Sequence, residues 1–163
     1  MKLEKEFWLA VVLFLAAAVI TVATYSRMVS FGFLLGPYRV NHWVSWIGSI
    51  YIALALPIFS TLKRRMPHKT KLLLRIHVYG NLIAFLLISI HFASQTSRQP
   101  IPDLGTGIVL YIVVLILAVT GFLHRFRISG LLSPQNNRSL HVSVAISFFI
   151  IIGIHILHGI GII

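Results

Sequence analysis

The sequence predicts an all-α integral membrane bundle of about five transmembrane helices. Three observations predict it. Of the 163 residues, 58% are hydrophobic and 10% are charged, a balance foreign to a soluble domain of this length. Apolar runs of roughly 18 to 20 residues, enough to cross a hydrocarbon core, recur between short polar connectors. The acidic residues, Glu4, Glu6 and Asp103, all fall outside those runs.

A single transmembrane domain over 1–163 is expected, with helices at about 7–25, 42–62, 72–93, 106–124 and 140–162. The first run follows Lys2 and Lys5 and has the outline of a secretory signal, but it is expected to be retained as a span. A Gly/Pro-containing connector leads to the second, with Trp43 and Trp46 as interfacial anchors and Pro57 as a candidate kink. Lys63, Arg64, Arg65, Lys69 and Lys71 then form a basic loop before the third run. The polar, proline-containing stretch 94–105 separates the third run from the fourth, which Arg125 and Arg127 close. A Ser/Pro/Asn/Gln loop precedes the fifth.

Alternating spans sort the basic residues by side. With the N-terminus cytoplasmic, the inner side holds Lys2, Lys5, Lys63, Arg64, Arg65, Lys69, Lys71, Arg75, Arg125, Arg127 and Arg138, and the outer side only Arg27, Arg39 and Arg98. The positive-inside rule therefore puts the C-terminus outside. The same sorting accounts for the formal charge of +11 without nucleic acid, and no nucleic-acid partner is expected.

Without intramembrane carboxylates, paired-carboxylate catalysis and carboxylate proton relays are disfavoured. The chain has no cysteine, which excludes thiolate zinc sites, iron–sulfur clusters and thioether-attached haem.

What remains is histidine. Two of the runs carry a pair each, His77 with His91 and His141 with His155, and both pairs are 14 residues apart. At 100° per residue the members of a pair face within about 40° of each other and lie about 21 Å apart along the axis. One metal ion cannot span that distance within a helix, so ligand pairs must form between helices. The third and fifth spans run the same way. His77 and His141 would then share the inner level and His91 and His155 the outer, giving two bis-histidine sites stacked across the bilayer and two noncovalent b haems between helices 3 and 5.

The segments IHVYGNLIAFLLISIHF and LHVSVAISFFIIIGIHI also align as a pseudo-repeat, His-Val opening each and Ile-His closing each. Midway stand Ala84 and Phe148, either filling the gap between stacked macrocycles or simply packing helices. Gly80 would let a haem approach the backbone. Arg75 and Arg138 precede the inner histidines and are either partners of haem propionates or topology residues only; Arg98 is the outer candidate. Each ligand's second ring nitrogen is expected to donate to a backbone carbonyl, most simply that of residue i−4. His42, His68, His124 and His158 sit at span ends and need no function. His158 is three residues from His155, but its interval from His141 does not match the other helix.

Two H-x13-H helices separated by one span resemble the haem-binding core of cytochrome b in respiratory bc complexes. They are also similar to the transmembrane domain of ferric reductases and NADPH oxidases, a closer match in order, since that family too carries its haem histidines on spans three and five behind a cytoplasmic N-terminus. The resemblance covers roughly Leu72 to His158, and its specificity lies in the doubled spacing. It implies that His77, His91, His141 and His155 are axial ligands of two b haems. The chain departs from the oxidase pattern in lacking a sixth span and a flavin- and nicotinamide-binding domain, so the expected donor is a separate redox protein or a quinol, with an electron acceptor on the other side. It also lacks the further helices of bc-type cytochrome b. The expected role is transmembrane electron transfer, either as a conduit or as a haem-containing anchor or quinol-interacting subunit of a larger complex, not as a self-contained enzyme. A histidine-lined transporter is disfavoured by the missing carboxylates and the ligand spacing.

Overall fold

The computed structural model describes residues 2–98, 104–128 and 133–162; the Asp103 carboxylate lies outside the described residues. Five helices are long and apolar enough to cross a membrane, so the chain is a multi-pass helical membrane protein by length and composition. They divide between two compact units, Met1–Pro102 and Asp103–Ile163.

The first unit holds α1 (Lys2–Tyr25), a small hairpin of β1 (Leu34–Leu35) and β2 (Tyr38–Arg39), α2 (Val40–Arg65), a 3-10 turn (Pro67–Lys69) and α3 (Thr70–Thr96). Its centre is α3, which packs against both α1 and α2. Small residues make those contacts possible, because without a hydrophobic driving force in lipid the helices associate by close backbone approach. On α1, Ala10, Ala17 and Thr24 are buried at intervals of seven. On α2, Asn41, Ser45 and Gly48 form the buried stripe. A Cβ on Gly48 would stand 2.9 Å from the Ala84 carbonyl oxygen of α3, which shows how near the two backbones run. Opposite faces such as Val12, Val19 and Val22 on α1 are exposed, as lipid-facing residues are.

The hairpin turns at Gly36, whose φ of 64° an L side chain rarely adopts, followed by Pro37. It is tied to α2 through the expected anchors. Trp43 Nε1 donates to Leu35 O at 2.9 Å, and the Tyr38 ring lies 4.9 Å from that of Trp46. Lys63, Arg64 and Arg65, expected in a loop, instead form the last turn of α2, where cations suit the carbonyl end of a helix.

Two polar contacts fix the register of α1 on α3. Near their starts, Arg75 pairs with Glu6 through NH2 and Nε, at 2.6 and 2.7 Å from the same carboxylate oxygen. Past their ends, an Arg27 guanidinium nitrogen donates to Ser97 O at 2.6 Å. The two helices therefore run in the same direction, as alternating spans require.

The second unit is a helical hairpin of α4 (Gly105–Phe126) and α5 (Pro134–Gly159). The first residues of α5 were expected as loop. Ser133 changes that: its side chain accepts from Asn136 N, and Pro134 at the first helical position has no N–H to leave unsatisfied, so the helix starts six residues before 140.

Candidate functional site

Each unit carries one of the predicted histidine pairs, His77 and His91 on α3 and His141 and His155 on α5. All four side chains are part-buried within their own unit.

In the second unit, α4 holds both rings by a repeated device. Thr120 Oγ1 lies 2.9 Å from His141 Nδ1, and Thr106 Oγ1 lies 3.0 Å from His155 Nδ1. Beside each threonine is a glycine: a Cβ on Gly121 would approach His141 Cε1 to 3.2 Å, and one on Gly107 would approach His155 Cε1 to 3.6 Å. The Thr-Gly dipeptides at 106–107 and 120–121 are 14 residues apart, the same interval as the histidines. In an antiparallel hairpin the two periods meet, so each imidazole finds a hydroxyl for Nδ1 and bare backbone for its edge.

The hydroxyl network sets the tautomer of His141. Thr120 donates its one hydrogen to Ile116 O at 2.6 Å, so toward the ring its oxygen can only accept. Nδ1 is then the N–H, and in the neutral ring the lone pair is on Nε2. The Leu117 carbonyl is a further acceptor for the same ring. Asn137, one turn before His141 and buried, spans the hairpin by donating Nδ2 to Thr120 O at 3.1 Å.

In the first unit the acceptor comes from α2. His91 Nδ1 lies 3.2 Å from Asn41 O, and a carbonyl only accepts, so this ring is also the Nδ1–H tautomer with its lone pair on Nε2. The ring of His42 stands 5.1 Å away at 64°. His77 stacks on Phe59, centroids 4.6 Å apart, and the Asn81 amide nitrogen is 3.3 Å from both ring nitrogens. The Asn81 oxygen is buried without a partner; turning the amide by 180° would place it as the acceptor for His77 and satisfy it.

Neighbouring helices supply partners beside any carbonyl of the histidine's own helix: Asn41 O accepts from His91, Thr120 Oγ1 accepts from His141, and Thr106 Oγ1 lies against His155 Nδ1. Gly80 serves Tyr51: a Cβ there would run into the tyrosine ring and hydroxyl, which donates to Ile76 O at 2.7 Å. Ala84 is buried where α3 meets Gly48, so packing accounts for it, and Phe148 is 1% exposed within the second unit. The Arg75 fork is occupied by Glu6, whereas Arg138 is exposed at the start of α5.

Sequence reasoning missed Asn41, Asn81, Thr106, Thr120 and the Glu6–Arg75 pair. Only the threonines had a usable signal, their 14-residue interval. Among the described residues no group of three or more His, Asp or Glu is placed to hold a metal ion alone. The chain matches no family model, no curated protein and no solved structure.

Proposed function

We propose that the chain is a dihaem b-type membrane cytochrome that carries electrons across the bilayer, with His77 and His141 ligating an inner haem and His91 and His155 an outer one. The observation that supports it best is the orientation of the rings. A ligating histidine needs its second nitrogen held by an acceptor so that Nε2 keeps its lone pair and aim, and the acceptors on His91 and His141 do this. Thr106 Oγ1 lies as near to His155 Nδ1 as Thr120 Oγ1 does to His141 Nδ1.

The donor set fits haem: the four histidines come without any cysteine thiolate, and the Glu6 carboxylate near His77 is taken by Arg75. Bound bis-histidine haem supplies reversible one-electron chemistry without an open coordination position. The chain's own part is to fix the imidazoles, exclude water by lipid-facing helices and separate the two levels by about 21 Å. The 14-residue interval on α3 and α5, with the resemblance to cytochrome b and to the ferric reductase and NADPH oxidase domain, supports pairing by level. The charge asymmetry supports a cytoplasmic N-terminus, with a redox protein or quinol on one side and an acceptor on the other. Serving as the haem-containing anchor of a larger complex is the second reading.

A visible spectrum of the purified, membrane-extracted chain tests this. It should show a Soret band and split α and β bands on reduction, with two haems per chain extractable by acidified acetone. A chain without these bands, expressed with ample haem, ends the proposal.

Thr120 provides a second check. Thr120→Val removes the hydroxyl acceptor for His141 Nδ1, leaving the Leu117 carbonyl and a nearly isosteric side chain, so the expected outcome is weaker retention of the inner haem, by about 10-fold. Thr120→Ser keeps the hydroxyl and should retain it. Haem-retention titrations of the two variants read the difference, and equal behaviour would leave the threonine a packing residue.

A further inference from the structure

At the end of the first unit away from Glu6, the last turn of α1, the connector after it, β2, the first turn of α2 and the end of α3 line a half-open cavity of about 220 Å³. Its lining includes Arg27, Arg39 and Arg98. These are all three of the basic residues that the charge asymmetry leaves on that side. The described carboxylates, Glu4 and Glu6, lie near the opposite end of α1, about 27 to 30 Å from Thr24 along the axis.

Three guanidiniums around one cavity repel one another. Arg98 holds its proton less firmly than a free guanidinium, through burial first and then the charge of Arg39. Arg27 is committed to its place: its backbone has a φ of 62°, in the left-handed region, and its side chain donates to Ser97 O. Two further residues that line the cavity are buried with side-chain polar atoms lacking any partner, Thr24 Oγ1 at 3% residue exposure and Asn41 Oδ1 at 1%. Such groups destabilise the fold unless something bonds them. A hydroxyl can donate to an anion, and the Asn41 amide, turned by 180°, presents two N–H donors.

We propose that this cavity is an oxyanion site for a carboxylate- or phosphate-bearing molecule. Guanidinium forks match the geometry of those groups, and the volume equals that of about seven waters in the liquid, ample for one such anion. The site is next to the histidine site: Asn41 lines the cavity and its carbonyl accepts from His91. The assignment rests on the first unit alone and holds whether or not the histidines ligate haem. The anion can come from the aqueous phase, from a lipid headgroup, or from the carboxylates of a group held at His91.

The test is thermal unfolding of the full chain in detergent, with inorganic phosphate against chloride at equal ionic strength. Phosphate at about tenfold its Kd should raise the melting temperature by about 3–5 °C. The double variant Arg39→Gln with Arg98→Gln should lose the shift, whereas Arg64→Gln with Arg65→Gln, which removes equal charge elsewhere, should keep it. Arg98→Lys, conserving charge without the fork, should weaken it if the double variant does not fold. Two arms locate the source. A larger shift in nanodiscs of phosphatidylglycerol than of phosphatidylcholine assigns a lipid phosphate. A phosphate shift seen in His91→Ala but not in pigment-loaded wild type assigns carboxylates of the group held there. No shift in any arm, or a shift equal in the Arg39/Arg98 variant, overturns the proposal.

Discussion

Replacing His77 or His141 by alanine is expected to remove the same haem, about half of the pigment, and replacing His91 or His155 to remove the other. Under the proposed pairing each iron has one ligand from α3 and one from α5, and losing either leaves a single axial bond and a vacated space in the protein. The two inner variants should leave one identical remaining spectrum and potential, and the two outer variants another. The unit structure sharpens the expectation, because each histidine of a level is held by a different set of neighbours: His77 by Phe59 and Asn81, His141 by Thr120 and Leu117. A common spectral outcome from two sites so differently supported would have to come from a shared iron. If His77→Ala and His141→Ala instead left haems with different spectra, pairing by level would be wrong. His42→Ala is an informative companion, since its ring stands close to His91. It should perturb the outer haem without removing it, and complete loss would make His42 the ligand.

The five helices were legible because hydropathy over some twenty residues is a collective property that no single side chain can reverse. Helix ends were less so. The start of α5 depends on one serine hydroxyl and one proline, and the end of α2 on whether three basic residues continue a helix or leave it. The placing of the two histidine pairs on one helix each was legible through their interval, which needs nothing but the helical repeat. Their surroundings were not. Nothing in the spacing of Asn41 and His91, 50 residues apart, marks the carbonyl that fixes the imidazole; that follows only once α2 lies against α3. The same holds for Glu6 and Arg75, which were read separately as end-of-span charges and turn out to be partners. Thr106 and Thr120 are the instructive case, because their interval was present in the sequence but becomes meaningful only when the hairpin aligns it with the histidines.

In sealed vesicles containing the chain with both haems loaded, an impermeant reductant on one side is expected to reduce an impermeant acceptor trapped on the other. The argument is one of depth. Two levels about 21 Å apart in a hydrocarbon core of about 30 Å leave each iron roughly 4–5 Å inside its boundary. Each haem is then close to its own aqueous phase, and the macrocycle edges are closer together than the irons, so neither surface has to exchange electrons with the far haem. Under the proposed pairing both levels are in series. His91→Ala and His141→Ala should therefore each abolish transfer across the bilayer, even though each variant keeps one haem that its adjacent surface can still reduce. Two independent sites would behave differently, each loss halving the pigment but leaving some flow. Arg138 adds a directional check: it is exposed at the start of α5, three residues before His141, while Arg75 is engaged by Glu6. Positive charge near the inner haem favours its reduced state, so Arg138→Gln should lower the inner potential and spare the outer one. Equal shifts at both haems would make the arginine a topology residue, and absence of flow in fully loaded vesicles would remove the conduit while leaving the anchor-subunit reading to stand.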